Sequence, residues 1–159
     1  MATSKVAKWV GILTMLAGAL LIVVGGITWG VITSQLKQER ITISQDAQWF
    51  AGRQVGGPFT AYSQAQVIQK HAMAQSDGLS YAELGAKASE ARAAGNTELA
   101  DELTKIRSSV MNGSLLRGSL FTSVLAYGVA AFAAGVGIVF LMVGFALQRP
   151  VFLTPVSNE

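Results

Sequence analysis

Two stretches decide the fold: WVGILTMLAGALLIVVGGITWGVI at residues 9–32 and GSLFTSVLAYGVAAFAAGVGIVFLMVGFALQ at residues 118–148. The chain has 12 Lys and Arg and 9 Asp and Glu, yet none of them lies between Lys8 and Lys37 or between Arg117 and Arg149. At about 1.5 Å per residue, a helix over either stretch would cross the roughly 30 Å hydrocarbon core of a bilayer. The sequence therefore predicts an all-α membrane protein, a two-helix transmembrane hairpin with a small helical extracytoplasmic loop region.

Charge placement predicts the topology of this hairpin. Lys5, Lys8 and Arg149 lie in the short tails, and short cytoplasmic segments carry an excess of Lys and Arg, whereas loops longer than about 60 residues do not count. We therefore predict a two-pass plasma membrane protein with both termini cytoplasmic. The predicted segments are a tail over 1–8, a first transmembrane helix over 9–33, an extracytoplasmic helical region over 34–117, a second transmembrane helix over 118–148 and a tail over 149–159.

The first apolar stretch is predicted to stay in the mature protein as an anchor. A cleaved signal peptide has a shorter apolar core followed by a small-residue cleavage site, but here the apolar run continues to Ile32. Trp9 and Trp29 are 20 residues apart in the sequence, or about 30 Å along a helix. They are predicted to be the membrane-interface anchors, because amphipathic rings prefer the two interfaces.

Residues 37–117 have an ordinary soluble composition. They contain nine Lys and Arg against eight acids, without a basic stripe, which argues against nucleic acid as a partner. Ser80 and Glu83 form a capping box, Gly95 is predicted to end that helix, and Asn96 or Thr97 to begin the next. Apolar residues recur at helical spacing in three stripes, which we list as Ala61, Ala65, Ile68 and Ala72; Tyr81, Leu84, Ala88 and Ala91; and Leu99, Leu103, Ile106 and Val110. The Asn112-Gly113 pair is predicted to interrupt the third helix before Ser114 caps the second membrane helix.

Small residues recur at helical spacing in both apolar stretches. Where lipid surrounds helices, small residues let two backbones approach closely and so mark packing faces. The candidate helix-packing residues are Gly11, Gly18, Gly25, Gly26, Gly30, Ala126, Ala130, Ala134, Gly135 and Gly137, with Ala131 and Ala133 beside them. One alternative is that the two spans pack only on each other. Because small residues lie on more than one face of each helix, a contact with further helices is favoured.

Four aromatic residues lie in the first half of the loop: Trp49, Phe50, Phe59 and Tyr62. They are a candidate docking surface, and a re-entrant layer or a ligand cleft would use the same side chains. The alternative, which the sequence favours, is that they cover the ends of the membrane helices.

The chain offers little for catalysis or metal binding. It has no cysteine and one histidine, His71, and the residues three or four positions away from it are Val67, Ile68, Ala74 and Gln75. None of these is a carboxylate or an imidazole, so His71 is expected to be a polar surface or capping residue. No catalytic residue, metal site or cofactor is predicted.

The chain resembles a family of small two-span actinobacterial membrane proteins, many of which carry the automatic name aromatic ring-opening dioxygenase LigA. The stretches that carry the resemblance are GILTMLAGALLIVVGGITWGVI at 11–32, ITISQDAQWFAGRQVGGPFTAYSQAQVIQKHA at 41–72, YAEL at 81–84 and RGSLFTSVLAYGVAAFAAGVGIVFLMVGFAL at 117–147. The name implies a non-haem iron site, which needs about two histidines and a carboxylate. We reject that activity for a chain with one histidine.

The leading functional hypothesis is a non-catalytic accessory subunit of a larger cell-envelope complex, with the respiratory chain as one candidate host by analogy only. Its partners would be membrane lipids and other integral membrane subunits. The alternatives are a self-assembling homo-oligomer and an envelope ligand-sensing module that uses the aromatic loop.

Overall fold

The computed structural model describes the backbone of residues 2–148 and the side chains of residues 5–148. The predicted cytoplasmic tail over 149–159 lies outside the described residues. Four helices follow one another: α1 (Ala2–Gln38), α2 (Pro58–Gln75), α3 (Tyr81–Ala93) and α4 (Thr97–Gln148). The chain forms two compact units, one made of residues up to Val31 and from Gly128 onward, the other of Ile32–Tyr127.

Two of the four helices, α1 and α4, are long and apolar enough to cross a membrane. Large apolar side chains on their surfaces are exposed, including Leu13, Leu16 and Leu20 on α1, each more than 60% accessible. Soluble proteins rarely expose contiguous apolar patches of more than a few hundred Å². The predictions of an all-helical chain and of two helices long and apolar enough to span a membrane agree with the described structure.

The second unit is organised around the segment that links α1 to α2. Here the backbone doubles back: the Ile43 N–H donates to the Arg53 carbonyl and the Val55 N–H to the Ile41 carbonyl, at 2.9 and 2.8 Å. Ile43 and Val55 are thereby buried. They pack in one core cluster with residues from α1, α2 and α4, namely Leu36, Ala61, Ala65, Leu120 and Tyr127. The short extended link predicted over 41–43 is the first arm of this turn-back.

The α3 helix begins and ends, and α4 begins, where the sequence predicts. The Ser80 hydroxyl accepts from the Glu83 N–H, and a Glu83 carboxylate oxygen accepts from the Ser80 N–H at 2.8 Å, so the capping box is confirmed. Hydrogen bonds from Ser80 hold the pKa of Glu83 below its usual value. Gly95 adopts a left-handed φ of +75°, and the Asn96 side chain accepts from the Leu99 N–H at the start of α4.

The predicted interruption at Asn112-Gly113 is wrong, because α4 runs without a break from Thr97 to Gln148. A glycine costs a helix interior about 1 kcal/mol relative to alanine, which a long and well-packed helix absorbs. Gly113 also fits its place, since a Cβ there would lie 3.5 Å from Ala72 and 3.6 Å from Ile68 on α2. Tertiary packing of α2 on α4 therefore overrides the local preference.

The third predicted stripe is wrong in one position. Leu99 is exposed, and its neighbour Ala100 is fully buried instead. In the second stripe Leu84, Ala88 and Ala91 are buried as predicted, whereas Tyr81 is exposed at the start of α3, where the Arg107 guanidinium lies over its ring. Because the buried alanine side chains are small, the helices of this region can approach closely, and a large Leu99 side chain is displaced from the contact.

Candidate functional site

In the first unit, α1 and α4 contact each other through glycine backbones. An added Cβ on Gly11 would lie 2.8 Å from the Gly144 carbonyl oxygen, and one on Gly18 would lie 2.6 Å from the Gly137 carbonyl oxygen. An added Cβ on Gly25 would lie 2.7 Å from the carbonyl oxygen of Ala130. Real Cβ atoms do not approach so closely, so glycine is required at all three positions of α1.

These contacts have a constant antiparallel register. Each step of seven residues forward along α1 moves the contact seven residues back along α4, from Gly144 to Gly137 to Ala130. A seven-residue repeat keeps one face of each helix toward its neighbour over two turns. The sequence-predicted packing residues include the repeat Gly11, Gly18 and Gly25 of α1 and two of its three partners on α4, but not Gly144. The spacing of 130, 137 and 144 was the available signal.

A second set of predicted packing residues makes no such contact. At Gly26 and Gly30 on α1, and at Gly135 on α4, an added Cβ would meet no atom within 4 Å among the described residues. Gly26 and Gly30 are spaced four apart, as in the GxxxG pattern of associating membrane helices. Of the other candidates, Ala126 is half-buried and Ala134 lies near Gly25. The helix pair therefore leaves small-residue faces uncovered.

Trp9 and Trp29, the predicted interface anchors, both lie on α1 and are exposed, 67% and 40% respectively. Both side chains are therefore accessible from outside the helix pair. Their position at the two membrane surfaces stays a prediction.

The four aromatic residues predicted as a docking surface line one groove of about 320 Å³ in the second unit. Trp49 and Phe59 are the most exposed of them, at 59% and 75%. The remaining lining is Phe50 and Tyr62 together with Pro58 at the start of α2 and Val124 of α4. The segment that links α1 to α2, α2 itself and α4 thus contribute side chains to one groove. The lining of this groove is almost entirely apolar.

Local geometry holds these rings in place. Phe50 has a left-handed φ of +60°, which is rare for a bulky residue and marks a fixed turn. The Ser63 hydroxyl donates to the Trp49 carbonyl at 2.7 Å and ties this turn to α2. Tyr62 packs edge-on against Phe121 of α4, with ring centroids 5.9 Å apart.

A cationic groove of about 340 Å³ adjoins the aromatic one and shares Phe50, Pro58 and Phe59 with it. Lys37 and Arg53 both line it. The Arg53 guanidinium lies 5.5 Å from the centre of the Phe50 ring. Among the described residues, neither cation has a carboxylate within ion-pair distance. The sequence does not predict that Lys37 and Arg53 share a groove, because only the turn-back of the 39–57 segment brings the two side chains together.

Asp46 ties the same segment to α2. Its carboxylate accepts from the Ser44 hydroxyl at 2.6 Å, and its other oxygen lies 2.9 Å from Lys70 Nζ and 3.0 Å from His71 Nε2. These hydrogen bonds, that of Ser44 first, hold the pKa of Asp46 well below its usual value. His71 is exposed on the surface of α2, in agreement with its prediction as a polar surface residue.

In the part of the chain that the structure describes, no three His, Cys, Asp or Glu side chains come together in a way that could hold a metal ion. The features that the described residues do form are the helix-packing faces and the two grooves. The chain matches no family model, no curated protein and no solved structure at significant similarity.

Proposed function

We propose that this protein is a non-catalytic accessory subunit of a larger membrane complex in the cell envelope. In this proposal, α1 and α4 form a two-pass hairpin in the plasma membrane, both termini are cytoplasmic, and residues 34–117 form a helical region outside. The helical region would cover a groove of the partner complex. The two-span family that the sequence resembles is consistent with such a role.

The observation that carries the proposal is the division of the glycines into two sets. Gly11, Gly18 and Gly25 are used in the contact between α1 and α4, whereas Gly26 and Gly30 face open space. A glycine in a helix interior lowers helix stability and, without a neighbouring backbone, gains no packing in return. A further helix seated on this face would gain the close backbone contact that small residues permit.

A test is affinity purification of the tagged full chain from its native membranes in mild detergent. Wild type should bring down other integral membrane subunits. The Gly26→Leu/Gly30→Leu variant should lose them while its own fold stays intact, because a Cβ added at either position would meet nothing within 4 Å. The matched control is Ala17→Leu, an exposed small residue half a helical turn round from Gly26.

Two results would contradict the proposal. One is a wild-type chain that stays a lone monomer in every mild detergent tested. The other is an equal loss of partners in the Gly26→Leu/Gly30→Leu variant and the Ala17→Leu control, which would remove any role of the glycine face. A closed homo-oligomer of the chain alone would favour the second hypothesis, self-assembly.

The pore form of that hypothesis has little polar surface to draw on. In the first apolar stretch, Thr14 and Thr28 are the polar side chains. The Thr14 hydroxyl already donates to the Val10 carbonyl of its own helix at 2.8 Å. An accessory role needs no polar path through the bilayer and is therefore the better supported of the two.

A further inference from the structure

The cationic groove and the aromatic groove, which share Phe50, Pro58 and Phe59, form one joint groove with two chemistries side by side. One part presents an ammonium and a guanidinium, and the adjoining part presents the rings of Trp49 and Phe59 and the side chain of Val124. An anionic phospholipid has the same division, because its phosphate is charged and its acyl chains are apolar. Grooves of some 300–1,000 Å³ are typical of small-molecule sites.

The cations are free to accept a new partner. Lys37 Nζ and the Arg53 guanidinium have no carboxylate partner among the described residues, and ionised donors make their strongest hydrogen bonds to anionic oxygens. The nearest backbone donors are already used, since the N–H groups of Gly56 and Gly57 both donate to the Thr60 hydroxyl at 3.1 and 3.0 Å. Recognition of an anion in this groove therefore falls to the two side chains.

The backbone at Gly56 helps to position Lys37. An added Cβ on Gly56 would lie 3.0 Å from Cε and 3.1 Å from Cγ of Lys37, so the lysine stem lies directly on the glycine. Stacking on Phe50 holds the Arg53 guanidinium in the same way, since cations and aromatic faces attract. Both side chains thus rest against the 50–57 segment while both residues stay exposed and accessible to a ligand.

One cation of the groove, Lys37, follows closely on a predicted membrane segment in the sequence. It is the first charged residue after the uncharged stretch 9–36 and lies about 12 Å along α1 beyond Trp29, so its long side chain would reach back toward the phosphates from the outer edge of the headgroup layer. Val124 lies seven residues beyond Arg117 on α4, which is about 10 Å further along the helix axis. Each headgroup layer is only about 5–8 Å thick, so with Arg117 at the outer edge of that layer Val124 would reach the upper ends of the acyl chains. The exposed Leu125 beside it continues the same apolar surface.

We propose that this groove binds one anionic phospholipid of the surrounding leaflet, with its phosphate between Lys37 and Arg53 and an acyl chain against Trp49, Phe59 and Val124. The proposal rests on the membrane placement in the proposed function, but not on the existence of a partner complex. The bound lipid would fasten the loop segment to the membrane surface.

The test uses the full chain in mild detergent, with phosphatidylglycerol and phosphatidylcholine of identical acyl chains added in equal amounts. Lipids retained on the intact protein are then counted by native mass spectrometry. Wild type should retain phosphatidylglycerol preferentially. In Lys37→Gln/Arg53→Gln the retention of phosphatidylglycerol should fall by about twenty-fivefold, because each cation near an anionic lipid contributes roughly a fivefold factor.

The matched control is Lys87→Gln/Lys105→Gln, which removes the same charge from exposed positions on α3 and α4. It should keep the wild-type preference. The charge-conserving variant Lys37→Arg/Arg53→Lys should keep most of it as well, which guards against a misfolded double glutamine variant. Equal retention of the two lipids by wild type, or an unchanged preference in Lys37→Gln/Arg53→Gln, would overturn the proposal.

A second arm separates a lipid from a soluble phosphate. Glycerol 3-phosphate, which has the same phosphate without acyl chains, should raise the unfolding temperature much less than phosphatidylglycerol at equal concentration. Equal protection by both would identify a soluble anion site and contradict the lipid proposal. Extraction of native membranes with alkaline carbonate tests the membrane placement independently: a chain released by carbonate would refute the spanning helices, whereas lipid binding to purified protein does not depend on any partner.

Discussion

At Gly18 the backbones of α1 and α4 come too close for any side chain. An added Cβ would lie 2.6 Å from the Gly137 carbonyl oxygen and 3.0 Å from a Leu141 backbone nitrogen. Backbone atoms cannot move aside as the end of a flexible side chain can. Glycine at this position is therefore required by packing, whereas Gly26, with open space around it, is not.

Gly18→Leu should lower the stability of the helix pair by about 1–3 kcal/mol, the usual cost of forcing a larger side chain into a packed contact. The measurement is thermal unfolding of the full chain in mild detergent, followed by circular dichroism. Gly26→Leu is the control and should unfold near the wild-type temperature. Equal destabilisation by the two changes would contradict the assigned contact.

Asp46 is the second residue with a distinct expected effect. Hydrogen bonds from Ser44, Lys70 and His71 favour its charged form and hold its folded pKa below the usual value of 3.8. Its contribution to stability is therefore complete above pH 3.8 and is lost as the pH falls below this value. Asp46→Asn should loosen the 41–57 segment at neutral pH and remove that part of the acid dependence.

Hydrogen exchange of the backbone amides in residues 41–57 measures this effect. Wild type should show faster exchange as the stability of the segment declines below about pH 4, after correction for the intrinsic pH dependence. Asp77→Asn, an exposed site outside this network, is the matched control. Protection in Asp46→Asn equal to wild type at neutral pH would show that the carboxylate does not hold the segment.

At the scale of the element, the most informative feature is the length of α4. It continues through Asn112-Gly113, where local propensity predicts an end, because Gly113 packs on Ala72 and Ile68 of α2. Propensity can predict a helix boundary only where no other element stabilises the helix across it.

Gly113→Ala tests this explanation. A Cβ there would make ordinary contacts at 3.5 and 3.6 Å, so alanine should be tolerated and should stabilise α4 by up to about 1 kcal/mol. Gly113→Pro should instead destabilise the chain by about 3 kcal/mol or more, because proline removes a helical hydrogen bond. Both are measured by thermal unfolding in detergent. A destabilising Gly113→Ala would mean that the helix needs a break or bend at this position.

The sequence predicted the elements better than their contacts. The heptad of Gly11, Gly18 and Gly25, the Ser80 capping box and the Gly95 helix end are local signals, and local chemistry decides them. The register of α1 on α4 depends on residues more than 100 positions apart. Several sets of small residues in the sequence were equally plausible as the packing face. Only packing selects Ala130, Gly137 and Gly144 among them.

The groove shows the same division between local and distant information. Its aromatic residues were recognised as a set because they are close in sequence and unusual for a polar loop. The two cations were missed because the pairing of Ile43 with Arg53 and of Ile41 with Val55 returns the chain to the end of α1. A backbone turn of this kind leaves no strong periodic signal.

At the scale of the whole molecule, the proposed two-pass topology leads to a direct prediction. The chain has no native cysteine, so single cysteines report on sidedness without background. Glu98→Cys, in the region predicted to be outside, should react with a membrane-impermeant maleimide in intact cells. Ser4→Cys should react only after the membrane is permeabilised. The opposite pattern would reverse the topology, and labelling of both in intact cells would refute two spans.

The proposed role as one subunit of a larger membrane assembly is best examined by native mass spectrometry of the tagged wild-type chain extracted from its own membranes. We expect a complex that contains this chain together with different integral membrane proteins. A mass equal to the chain alone, or to a closed ring of identical copies, would contradict it.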